Sequence, residues 1–145
     1  MPRVFLVAVC ADSAIDQRSN NVSLFNLIEA LQIAELPQRI PVEVHVYAEF
    51  DEAERGQPHE LRFGLEDEHG SVTWRSQIMP VTSDTRRMRI IGQGLNLSAP
   101  GSYHLLAEMR PAGEESTTWI RASVAWPLEV SLVAGQRTAP GEIPA

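Results

Sequence analysis

Several residue types that support common chemistries are scarce or missing from this 145-residue chain. It contains no lysine, so all 12 of its basic residues are arginine. The missing amine excludes a lysine Schiff base, a lysine phosphate ligand and lysine acylation. The single cysteine, Cys10, excludes an internal disulfide and suits a reducing compartment.

Positive charge is also in short supply. The 19 acidic residues outnumber the basic ones and give a formal net charge of −7. Binding to nucleic acid or to an anionic membrane needs a basic surface, and the cluster of Arg86, Arg87 and Arg89 is too small to supply one. We therefore predict neither a nucleic-acid partner nor a membrane partner.

Long hydrophobic runs are absent. No segment has the roughly 18 consecutive apolar residues that indicate a membrane span. Residues 4–10 resemble a lipoprotein signal, but the run before Cys10 is short, Arg3 is the lone preceding charge, and Val9 stands where cleavage needs a small residue. We interpret the run as a strand and expect a cytoplasmic protein.

Signature motifs of enzymes and cofactors are missing as well. The chain has no glycine-rich phosphate loop, no paired Cys-x-x-Cys, no Gly-x-Ser-x-Gly and no His-Glu-x-x-His. We therefore predict a protein that is not an enzyme and that needs no cofactor or metal.

What the sequence does contain is strand periodicity. Residues 42–50, 61–65, 72–78, 86–97, 103–109 and 120–132 carry apolar side chains at alternate positions, with polar turns between them. In residues 86–97 the apolar parity switches near Gly92, which predicts a bulge. The pattern predicts one all-β domain over residues 1–133, an immunoglobulin-like (Greek-key) β-sandwich of about eight strands, followed by a flexible tail at 134–145.

Two segments have patterns that fit more than one interpretation. Residues 4–11 are apolar on both faces, which predicts a strand covered on both sides, either by another element or by a second subunit. Residues 22–33 fit a helical stripe and a strand face almost equally well. Helix propensity favours a short helix there.

A tyrosine follows the turn at Pro100 and Gly101. Proline and glycine suit the two central positions of such a turn, and Tyr103 opens the next strand. In immunoglobulin-like sandwiches a tyrosine at this place packs its ring inside and bonds its hydroxyl to a nearby backbone group. The turn is a fold signal and carries no function.

These elements together resemble a family of small bacterial single-domain β-sandwich proteins of unknown function. The resemblance rests on residues 5–12 (FLVAVCAD), 22–28 (VSLFNLI), Pro37, 100–103 (PGSY) and 127–130 (PLEV). It implies that residues 22–33 are extended, against their helix propensity, and it implies no activity. Family members begin with a strand that ends in Cys-Asp or a near variant, whereas Ala11 separates Cys10 from Asp12 here.

The sequence offers residues for two kinds of reactive site, and we predict neither. Cys10 with one of the four histidines (His45, His59, His69, His104) would make a thiolate nucleophile, but an inward cysteine in an apolar strand is usually a small core residue. Acidic runs at 51–54 and 66–69 offer oxygen ligands for calcium without EF-hand spacing. We interpret both runs as solvated loops.

Surface candidates are few. Trp119 shares a strand face with Arg121 and Ser123 and is expected to be exposed, where an aromatic ring anchors a protein partner or stacks on a sugar. We therefore predict a protein-interaction module, an adaptor or small assembly subunit that also self-associates through residues 4–11. The alternative is a small-ligand or carbohydrate-binding module that uses Trp119, Arg121, Tyr47 and loop carboxylates.

Overall fold

The chain folds into two β-sheets. The computed structural model describes residues 1–113 and 118–133, so the predicted tail at 134–145 lies outside the described residues. Within these ranges there is no helix, and ten strands are present where about eight were predicted. The strands are β1 (Arg3–Ile15), β2 (Val22–Leu27), β3 (Ala30–Ile33), β4 (Gln38–Glu49), β5 (His59–Asp67), β6 (Val72–Arg75), β7 (Met79–Val81), β8 (Arg87–Leu97), β9 (Gly101–Pro111) and β10 (Ile120–Leu132).

The first sheet, sheet A, has the strand order β2-β1-β4-β8 and is antiparallel throughout. The second, sheet B, has the order β3-β10-β9-β5-β6, with β7 pairing beside β6 on β5. Alternate residues of both sheets point into one shared hydrophobic core. Val44, Phe50, Phe63, Leu105 and Leu128 are among its fully buried members. The prediction of an all-β, sandwich-like fold is confirmed.

Residues 22–33 are extended, so the helix favoured by propensity is wrong and the resemblance predicted this segment correctly. The segment forms the edge strand of sheet A and then the edge strand of sheet B. The change of sheet occurs around Ile28, whose N–H donates to Val9 and whose carbonyl accepts a 2.6 Å hydrogen bond from the Trp126 indole. Asn26, at φ 54°, supplies the left-handed backbone just before this corner. Tertiary pairing outweighs the helix propensity of Leu, Glu, Ala and Gln.

Strand β8 shows the predicted change of parity. Before the change, the even-numbered Ile90 points into the core; after it, the odd-numbered Leu95 and Leu97 do so. The left-handed residue is Gly94 (φ 76°), and β4 carries one extra residue opposite, between Ile40 and Glu43. Gly92 has a different role: a Cβ there would lie 2.2 Å from the Phe63 ring, so only glycine lets the two sheets approach at this point.

The predicted tyrosine contact is present. Tyr103 is 5% exposed, and its hydroxyl donates a 2.6 Å hydrogen bond to the Ala99 carbonyl across the Pro100–Gly101 turn. This contact fixes the start of β9, the central strand of sheet B.

The end of β1 leaves sheet A and bends back over it. Strand β1 pairs with β4 only as far as Cys10 and Glu43; residues 12–15 pair only with β2 and form, with residues 16–25, a hairpin arm. The tip of the arm reaches Arg89 on β8, which donates to the carbonyl and the side-chain oxygen of Asn20. Arg89 pairs with Tyr47, which lies four residues after Glu43 on β4. Strand β1 leaves the sheet toward the opposite end of β4, so the arm must reverse its direction to reach Arg89. The hairpin arm therefore folds back across the outer face of sheet A.

Candidate functional site

Three potential metal ligands meet on the outer face of sheet A. Cys10 and Glu43 are directly opposed on β1 and β4, and His45 lies two residues beyond Glu43 on the same face. Their ligand atoms all lie within 4.8 Å of one another. The His45 Nε2 is 3.0 Å from Glu43 Oε1, and Cys10 Sγ is 4.0 Å from the same oxygen. Sheet pairing alone brings the three together, so the backbone fixes their arrangement.

This group, the Cys10–Glu43–His45 cluster, is shielded from solvent. Cys10 and His45 are 0% exposed although they lie on an outer face, whereas the Glu43 side chain is 18% exposed. The hairpin arm crosses this face, with Asn20 bonded to Arg89 and Ser13 bonded to Glu43. Of the segment predicted to be covered on both sides, residues 7–10 are buried on both faces, whereas Phe5 and Leu6 are half-buried and Ala11 is exposed.

The electrostatics of the cluster keep the thiol neutral. Burial, and then the neighbouring Glu43 carboxylate, raise the pKa of Cys10. Hydrogen bonds from Ser13 and His45 lower the pKa of Glu43, so its carboxylate is charged at neutral pH. A buried, protonated thiol is a poor nucleophile. The arrangement gives no support to a cysteine hydrolase that uses Cys10 and His45.

Two polar atoms beside the cluster have no hydrogen-bond partner. They are His45 Nδ1 and the Tyr47 hydroxyl, both buried. The Tyr47 ring packs edge-on against Phe5 at 6.1 Å between centroids, and its hydroxyl lies near the Arg89 guanidinium without a hydrogen bond of normal geometry. Buried polar groups are nearly always paired in proteins, so two such atoms on one face mark an unusual place.

Trp119 and Arg121 lie on the other side of the molecule, on the outer face of sheet B. The Trp119 ring is half-buried against two guanidinium groups, with Arg62 at 4.1 Å and Arg110 at 4.3 Å from the ring centroid. Arg121 forms an ion pair with Glu66. The structure therefore separates Tyr47 from Trp119 and Arg121, and no single site contains all three predicted residues.

In each of the two acidic loops, carboxylate oxygens accept hydrogen bonds from backbone N–H groups of the same loop. The Asp51 and Glu54 side chains each accept a 2.9 Å hydrogen bond from the other residue's backbone N–H. Asp67 Oδ1 accepts from the N–H groups of His69 and Ser71 at 2.9 Å. Among the described residues, neither loop gathers three potential metal ligands.

Reasoning from the sequence considered Cys10 with a histidine but missed Glu43. The signal was present in β4, where Glu43, His45, Tyr47 and Glu49 alternate with buried apolar residues and must share one face. The register between β1 and β4 places Cys10 opposite Glu43, and this register cannot be deduced from the sequence.

Comparisons with known proteins add little. No protein-family model and no curated protein matches the chain. Among solved structures, it is similar to a family 123 glycoside hydrolase from Clostridium perfringens, described for glycolipid glycan hydrolysis, with 11% identity and a TM-score of 0.29. The match covers 75% of this chain and 24% of that one, so the chain spans about a quarter of its length. So weak a likeness carries no argument, and the resemblance stated above stays a prediction.

Proposed function

We propose that this protein is a non-enzymatic protein-interaction module, an immunoglobulin-like sandwich that acts as a small subunit of a cytoplasmic bacterial assembly. The observation that carries the proposal is the free edge of sheet A at β2. Strand β2 pairs with β1 on one side only, and it exposes Phe25 and Leu27 at 48% and 54%. An unpaired edge with apolar side chains is a template for another strand.

The two edge strands of sheet A differ in charge, and charged edge residues are one means by which proteins discourage strand pairing. Edge strand β8 carries Arg87 and Arg89, and Gly94 breaks its regular pleat. Charges and bulges of this kind discourage pairing. Edge strand β2 (VSLFNL) contains no charged residue. Both edge strands of sheet A contain one left-handed residue, Asn26 in β2 and Gly94 in β8, so the absence of charge is what distinguishes the β2 edge.

The occupant that fits this edge is a second copy of the chain, so we place self-association at β2 and not, as predicted from the sequence, at residues 4–11. Two β2 strands paired antiparallel put no like charges opposite each other, because neither strand has a charge. Pairing of β2 with the β2 strand of a second copy uses the same surface on both chains, so the contact closes as a two-fold dimer. A six-residue edge buries less than the standard interface of about 1,600 Å², so we expect reversible dimerisation.

Light scattering behind a sizing column tests the proposal across a concentration series. We expect a shift from monomer to dimer in the wild type and a monomer throughout in Phe25→Glu, because a buried carboxylate at the strand contact is costly. Ile120→Glu is the matched control: Ile120 is 50% exposed but lies on β10. A wild-type monomer at every concentration, or equal dimerisation by Phe25→Glu, contradicts the proposal.

A second candidate function, small-ligand binding, is favoured by a groove between the edges of the two sheets. The groove has a volume of about 450 Å³. Its lining combines an aromatic ring, two guanidinium groups and three side-chain amides: Trp74, Arg39, Arg75, Gln77, Gln93 and Asn96. Such a lining suits a sugar or another polar ligand. A thermal-shift screen with glycans, with and without calcium, tests it, because a ligand of the folded state must raise the melting temperature.

A further inference from the structure

The Cys10–Glu43–His45 cluster combines the donor atoms that zinc prefers. It offers one thiol sulfur, one carboxylate oxygen and one imidazole nitrogen. This mixture suits zinc and its close relatives, whereas calcium and magnesium bind oxygen ligands. Three protein ligands leave the fourth tetrahedral position to water.

The spacing of the ligand atoms is close to that of a zinc site. Zinc bonds of 2.0–2.3 Å at tetrahedral angles put neighbouring ligand atoms about 3.4–3.6 Å apart. In this structure the nitrogen–oxygen distance is 3.0 Å and the sulfur–oxygen distance is 4.0 Å. These two distances lie within about half an ångström of the coordinating values, and the sulfur and nitrogen lie within 4.8 Å of each other. All three residues stand on paired strands that hold them in place.

We propose that Cys10, Glu43 and His45 bind a divalent ion of the zinc class beneath the hairpin arm. The ion enters from the side of Glu43, the one member of the cluster that solvent reaches. On binding, the Cys10 sulfur loses its proton to solvent and becomes a thiolate ligand. The Glu43 carboxylate disfavours a negative charge on the sulfur, and the positive charge of the bound ion outweighs this repulsion and stabilises the thiolate.

Two buried polar atoms without a partner lie at and beside the cluster. When His45 Nε2 coordinates a metal, the ring proton moves to Nδ1, which then needs an acceptor. Tyr47 lies two residues away on the same face of β4, about 7 Å along the backbone, and its buried hydroxyl is also without a partner.

Cobalt titration of the purified full chain, followed by absorption spectroscopy, tests the site. Co²⁺ bound to a thiolate gives a charge-transfer band in the near ultraviolet, and we expect the band to saturate at one ion per chain and to disappear when Zn²⁺ is added. Cys10→Ser should abolish it. His104→Ala, which removes an exposed histidine outside the cluster, should leave it unchanged.

Tyr47→Phe keeps all three ligands, so we expect the charge-transfer band to remain. The wild type decides the main question without any variant. A folded wild type that shows no charge-transfer band, or cobalt bands that Cys10→Ser retains, overturns the proposal.

Discussion

The outer faces of the two sheets are built from similar residues and differ in whether their polar groups find partners. On sheet B, Glu108 accepts from both Arg62 and Arg75, and Arg110 donates to Glu60. On sheet A, the polar side chains lie under the hairpin arm, and two of their polar atoms have no partner. The charged groups of sheet B are paired and partly exposed, whereas sheet A has buried polar atoms without a partner.

This difference shows how to choose between polar residues when looking for function. Exposed ion pairs contribute about 0–1 kcal/mol each and are ordinary features of a soluble surface. A buried polar atom without a partner costs about 1–3 kcal/mol and needs an explanation such as a ligand or an ion. The sequence predicts both Tyr47 and Trp119 as surface candidates, yet of the two only Tyr47 has a buried polar atom without a partner.

The largest expected effect follows from removing the buried imidazole of sheet A. We expect His45→Ala, measured by urea unfolding in the presence of a chelator, to lower the free energy of unfolding by about 2 kcal/mol or more, because it leaves a cavity at a fully buried site. His104→Ala, at an exposed position, should change it by less than about 0.5 kcal/mol. Equal effects of the two substitutions would remove the contrast between buried and exposed histidines.

A smaller effect is expected on sheet B. Glu108→Gln keeps the shape of the side chain but removes the charge that Arg62 and Arg75 share, and we expect a loss of about 1 kcal/mol. Salt screens partly exposed ion pairs, so the difference from wild type should shrink as the ionic strength rises. Glu68→Gln, at an exposed loop position, is the control. A difference that salt leaves unchanged would show that Glu108 acts through its short-range hydrogen bonds and not through its charge.

The smallest effect concerns the loop at the tip of the hairpin arm. Backbone N–H groups of Ser19 and Arg18 donate to Asp16 and lower its pKa below the ordinary 3.8. A lowered pKa stabilises the fold above pH 3.8, and this contribution is lost as the pH falls through the lower folded-state value. Asp16→Asn should therefore remove a small part of the acid sensitivity seen in urea midpoints. A wild type and variant with parallel acid profiles would exclude Asp16 as a contributor.

The periodicity of the sequence was enough to predict the two-layer β architecture, and the Tyr103 contact and the change of parity in β8 were predicted from local residue chemistry. The course of residues 22–33 could not be read from propensity, because Trp126, almost a hundred residues away, fixes the corner at Ile28. The cluster could not be predicted either. It depends on the β1–β4 register and on a hairpin arm whose return is set by the contact between Arg89 and Asn20.

The accessibility of Cys10 is the most direct measure of whether the hairpin arm covers the outer face of sheet A. In the presence of a chelator, we expect a thiol reagent to label native Cys10 at least about 100-fold more slowly than the urea-unfolded chain, which corresponds to an opening cost of about 2.7 kcal/mol. Arg89→Ala, which releases the tip of the arm, should raise the native rate. Native labelling within a few-fold of the unfolded rate would contradict the covered face and the buried cluster beneath it.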